Sequence, residues 1–174
     1  MTRLLRTSLV TLIALAAVVL APSASAAPAS TSFAIVGYEY AFTPTVGAFA
    51  GRGIGNAGDF AAWNATVQHD RLGSTPTYVN GGVFQMATAN ASGHTDTVTG
   101  TFAFHGGTIT TLDPGAGCTN QQYLVTGTLK DLMTTTTSAG TGTFAATLTH
   151  FRTRLFGHCI AYKARVRGHV TFAY

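Results

Sequence analysis

Two histidines and an arginine stand at the ends of apolar alternations. Trp63, Ala65 and Val67 lead in steps of two to His69, and Phe144, Ala146 and Leu148 lead to His150 and Arg152. In an extended strand a step of two keeps one face, so if the apolar residues line an interior, both imidazoles and the guanidinium reach its edge. Imidazoles there could exchange protons near neutral pH, and Arg152 could hold a carboxylate in two parallel hydrogen bonds. Tyr123 and Tyr162 could supply flat walls with a polar tip. Trp63, His69, Tyr123, His150, Arg152 and Tyr162 are therefore the candidate ligand contacts, an apolar cup rimmed by a few polar groups.

Other chemistries are less well provided for. His105 is out of phase with Phe102 and Phe104 and should point away from the interior. With no HExxH and no His or Cys pair at ligand spacing, neither a metal nor another cofactor is expected. One glutamate and five aspartates give little material for two-carboxylate hydrolysis, and no GxSxG marks a serine nucleophile. The leading expectation is a non-catalytic binding module for a small apolar or weakly acidic ligand. The alternative is an enzyme on the same scaffold, using His69 or His150 in an isomerase-like or hydrolytic step.

A second pattern is cationic. Arg154, Lys163, Arg165 and Arg167 fall close together near the C-terminus, with His150, Arg152 and Arg154 on one parity and Lys163, Arg165, Arg167 and His169 on another. Two adjacent strands are thus expected to carry parallel rows of cations, and like charges placed opposite one another cost stability unless a partner offsets them. An anionic surface or polymer is the candidate partner, and the alternative is an edge or outer face kept soluble by its charge. Past residue 26 the chain holds eight Lys and Arg against six Asp and Glu, a net of +2, too little for a nucleic-acid partner, whose binding rests on many phosphate-neutralising cations.

These groups need strands to position them. From residue 32 onward, alternating segments rich in Thr, Val, Phe and Tyr are separated by Gly, Pro, Asn, Asp and Ser clusters, with little helix-forming material. The expected strands are 32–43, 46–52, 59–69, 77–87, 95–105, 121–131, 141–154 and 160–171. Glycine recurs at one phase in Val79–Val83, Val98–Phe102, Val125–Leu129, Gly140–Phe144 and Val166–Val170. A strand-interior glycine marks a bend or a close backbone approach. The fold expected is all-β, a single antiparallel up-and-down barrel of about eight strands with lipocalin- or avidin-like architecture, its first and last strands paired. The alternative is a two-sheet β-sandwich. Asn80-Gly81 and Gly106-Gly107 are the places where a hidden hairpin would change the strand count; Asn80-Gly81 is read as a bulge within one strand.

Val98-Thr99-Gly100-Thr101-Phe102 and Val125-Thr126-Gly127-Thr128-Leu129 resemble strands of the avidin family, an eight-stranded secreted barrel. The likeness covers those residues alone, and this chain has one tryptophan where that family lines its pocket with several, so biotin binding is not carried over. Val170, Phe172 and Tyr174, with charges on the other face, resemble the closing strand of outer-membrane barrels, a further alternative. Its mostly neutral Thr face argues against that, and no stable membrane span is expected.

Arg3 and Arg6, the apolar run from Leu9 to Leu20 and Ala24-Ser25-Ala26 read as a secretory signal peptide over 1–26. A disordered lead-in over 27–31 and one barrel domain over 32–174 follow. Export places the only two cysteines, Cys118 and Cys159, where oxidation is favoured. A disulfide between them is expected, in a secreted, extracellular protein.

Overall fold

The computed structural model describes residues 30–135 and 138–173; the leader over 1–26, most of the lead-in and Tyr174 lie outside them. Among the described residues nine strands are formed: β1 (Ser30–Thr43), β2 (Val46–Gly55), β3 (Phe60–His69), β4 (Thr77–Ala89), β5 (Thr95–Phe102), β6 (Gly107–Asp113), β7 (Gln121–Met133), β8 (Ser138–Leu155) and β9 (His158–Ala173). All pairings between these strands are antiparallel. The order β3-β2-β1-β9-β8-β7-β5-β4 closes on itself through β3–β4. The barrel alternative thus holds over the sandwich, and first and last strands pair as expected, beginning at Ser30 opposite Ala173. Ser30 and Thr31 of the expected lead-in already belong to β1.

The count of eight positions survives a ninth strand because β5 and β6 run in the same direction between the same neighbours. β5 pairs with β4 and β7 at one end of the barrel, and β6 pairs with both at the other. Between them Ala103 to Gly106 loop outward, closed by Gly106 N–H donating to the Ala103 carbonyl at 3.0 Å. Gly106-Gly107 is therefore an interruption of one stave, not a hairpin. At Asn80 the ladder to β3 skips a residue, His69 facing Val79 and Gln68 facing Gly81, the bulge read from the sequence.

The interior is the apolar parity. Phe33, Ile35, Trp63, Val67, Phe84, Met86, Val98, Phe102, Leu129, Phe144, Val166, Val170 and Phe172 are all buried, while the intervening Thr, Lys and Arg face out. Val170 and Phe172 thus point inward, the reverse of the apolar-out order of membrane barrels. Four glycine repeats keep their phase. The Val79–Val83 copy does not, because the Asn80 bulge turns Val83 outward. The glycines also make room. Gly37 and Gly51 face each other across β1–β2, and a Cβ on Gly51 would overlap the Val36 carbonyl and crowd the Trp63 ring. In that space Trp63 Nε1–H reaches the Val36 and Arg52 carbonyls at 3.3 and 3.2 Å, satisfying a donor that burial would otherwise leave unpaired.

Candidate functional site

The expected strand phase brings His69, Tyr123 and His150 to one mouth of the barrel. His69 ends the inward row of β3, His150 extends that of β8, and Tyr123 enters from β7; all three line one cavity with Phe49, Val67 and Leu148. His150 Nε2–H donates to Glu39 Oε2 at 2.9 Å, with side chains 13% and 5% exposed. The Tyr123 ring meets the His150 ring edge-on at 5.6 Å. Burial pushes the Tyr123 phenol above its ordinary value and the Glu39 charge adds to this, while Arg152 opposes it, so the hydroxyl stays protonated. His69 Nδ1–H donates to the Asp70 carbonyl at 2.6 Å. A carbonyl can only accept, so this bond places a proton on Nδ1.

Glu39 is the mouth residue missing from the six candidates. It is the only glutamate in the chain and shares the parity of Phe33, Ile35 and Gly37, a signal that could have found it.

The other three candidates do not line this cavity. Trp63 belongs to the core, stacked on Phe84 at 6.3 Å and edge-on to Phe144 at 6.4 Å. Tyr162 is 63% exposed on the outside. Arg152 Nη1 donates to the Gly115 carbonyl at 3.1 Å and the Arg152 N–H to Asn120 Oδ1 at 3.4 Å, so the guanidinium anchors the β6–β7 loop and is not held ready for a carboxylate. His105 stacks between Phe104, at 4.0 Å, and Tyr78, at 4.6 Å, outside the barrel.

The lumen expected as a ligand cup is filled. Trp63, Phe84, Phe102, Phe144 and Phe172 interlock by ring contacts of 5.8 to 6.4 Å. Among the described residues the mouth cavity has a volume of about 40 Å³, room for water but not for a drug-sized molecule.

The outer wall is different. On β9, Lys163, Arg165 and Arg167 point outward at alternate positions. Arg165 lies beside Tyr38 of β1, and Arg167 beside Val36, which faces Arg52 of β2. Together with Gly37, Gly51, Phe151 and Ala164, all of these residues except Arg167 line an open groove of about 500 Å³. Ion pairs among the described residues are Lys130–Asp131 and His150–Glu39, so Arg52, Lys163, Arg165 and Arg167 have no carboxylate partner there. The two cation rows expected side by side are on opposite faces: across β8–β9 Arg165 meets Thr149 and Arg167 meets Thr147, while His150 faces inward. Arg154 is separated from the row and pairs with Cys159 near the β8–β9 turn.

The chain matches no family model, no curated protein and no solved structure. The avidin-like pentapeptides are a local likeness of strand chemistry.

Proposed function

We propose that the protein is a secreted, non-catalytic binding module that docks on an anionic surface or polymer through the outer face of β9, β1 and β2. The observation that carries this is the row Lys163, Arg165 and Arg167, flanked by Arg52, exposed and without a carboxylate. Residues two apart on one strand face lie about 6.6 to 6.8 Å apart, inside the Debye length of about 8 Å at physiological salt, so the charges repel. An anionic partner relieves that repulsion, and Val36 and Tyr38 between the cations add apolar contact. Export is supported by the leader-like residues and is compatible with the disulfide. A small apolar ligand inside the barrel is not supported, since rings occupy the lumen.

Retention on immobilised dextran sulfate tests the reading. The wild-type protein should bind at low ionic strength and elute as salt rises, and the double variant Arg165→Glu, Arg167→Glu should lose at least tenfold in affinity. Equal retention of the two proteins would overturn the proposal.

A second reading rests on the mouth, where His69, its Nδ1–H held by the Asp70 carbonyl, stands beside the His150–Glu39 pair. Those groups suit proton transfer on a very small substrate. A catalytic turnover abolished by His69→Gln and unaffected by Arg165→Glu would favour it.

A further inference from the structure

Beyond His150 and Ala164 the last two strands leave the barrel. β7 pairs with β8 only as far as His150, and β1 with β9 only as far as Arg165, so residues 151–163 form a two-stranded ribbon whose strands pair with each other. Isolated ribbons of this kind are marginal in water. This one is stapled to the β6–β7 loop by the Cys118–Cys159 disulfide and by the Arg152–Gly115 bond.

Its tip is built against folding economy. Phe156 and Gly157 make the turn with φ of 50° and 81°. Gly, Asn and Asp suit such left-handed positions, and a bulky residue there is disfavoured. Phe156 is nevertheless 92% exposed and Leu155 beside it 48%, with Ile160, opposite Thr153 further back, 37% exposed. A strained, solvent-facing Phe gives the folded chain nothing; its gain has to come from outside.

The rest of the ribbon indicates what that is. It carries Arg152, Arg154, His158 and Lys163 and no carboxylate, with Tyr162 exposed among them. An apolar tip, a flanking aromatic and a cationic collar are complementary to a bilayer whose headgroups are anionic. A strand rises about 3.3 Å per residue, which sets Arg154 some 7 Å behind Phe156. With Arg154 among headgroups, Phe156 then reaches the depth of roughly 5–10 Å at which interfacial segments bury their apolar face.

We propose that the β8–β9 ribbon is a membrane-docking finger, inserting Phe156 and Leu155 into an anionic phospholipid bilayer while Arg154 contacts its headgroups. The inference rests on the proposed anionic docking role and names the surface: a polysaccharide offers Phe156 no apolar phase.

The test is co-sedimentation of the full chain with vesicles of equal parts phosphatidylglycerol and phosphatidylcholine, and with phosphatidylcholine alone, beside dextran sulfate retention. Wild type should bind the mixed vesicles and bind phosphatidylcholine at least tenfold more weakly. Phe156→Asn, which suits the turn and keeps every charge, should lose about tenfold or more on mixed vesicles, with unchanged dextran sulfate retention and a melting temperature no lower than wild type. Vesicle binding unaffected by Phe156→Asn, or equal binding to both vesicle types, overturns the finger. Retention on dextran sulfate without vesicle binding overturns the finger and leaves the docking reading standing, whereas failure on both overturns both.

Discussion

At the mouth of the barrel Glu39 and His150 face inward, are largely buried and bond to each other; on the outer wall of β9 the ionisable groups face out, are exposed and have no carboxylate beside them among the described residues. His150 and Arg165 illustrate this within two neighbouring strands. His150 lies at the end of an inward row and meets Glu39, while Arg165, opposite Thr149, meets solvent. A difference of one residue in phase separates a buried, bonded pair from an exposed cationic row. Desolvated charges must be paired, so a buried pair speaks first of folding. An exposed row left unpaired contributes little to stability.

The sharpest way to break this contrast is to remove one partner from the buried pair. Glu39→Ala strands the His150 ring among Phe42, Tyr123 and Leu148, and should cost about 3–5 kcal/mol of unfolding free energy, measured by urea denaturation. Arg165→Glu with Arg167→Glu, placed on the outer wall, should stay within about 0.5 kcal/mol of wild type. Similar losses for the two variants would erase the distinction between the faces. Cys118→Ser with Cys159→Ser should follow, at about 2–4 kcal/mol, since the bridge closes a loop with a sequence separation of 41 and restrains the unfolded chain accordingly. Part of that loss should appear in the ribbon alone, as faster amide exchange at residues 158–163 than at the same positions of the intact protein.

The fold was legible because strand phase is a local property. Val98, Gly100 and Phe102, or Val125, Gly127 and Leu129, declare their inward face within five residues, and closure follows from eight such segments with β1 meeting β9. The mouth was half legible for the same reason: phase carried His69 and His150 inward, and Tyr123 with them. What phase cannot show is which neighbour an inward group finds. Arg152 continues the His150 row, yet its guanidinium is taken by the Gly115 carbonyl of a loop 37 residues distant. Trp63 was correctly an inward residue, but whether rings leave a void depends on how five of them from separate strands interlock. The parallel cation rows failed on register: parity within β8 and within β9 was right, and the pairing of Arg165 with Thr149 put the two rows on opposite faces. Tyr162 lies at the register shift between Phe151 and Arg152, a ladder irregularity that no run of residue types announces.

The smallest expected effect concerns a charge that is neither buried nor free. Asp70, following His69 at the rim, accepts from the Tyr78 N–H at 2.9 Å and from Asn80 Nδ2 at 2.7 Å. The Asn80 amide first, then the Tyr78 N–H, holds its carboxyl below the ordinary 3.8. Because the folded value lies below the unfolded one, the stabilisation is present in full above the unfolded value and is lost as pH falls through the folded value. Asp96 behaves alike: burial opposes the shift, but the Thr135 hydroxyl and N–H and the Thr97 N–H outweigh it. Asp70→Asn should therefore flatten the fall of stability on the acid side of pH 4 relative to wild type, and Asp70→Asn with Asp96→Asn should flatten it further. Both should leave the pH dependence between 6 and 8 unchanged. Stability profiles from urea denaturation at successive pH values read this directly. An acid limb as steep in the double variant as in wild type would mean that the carboxylates governing it lie elsewhere.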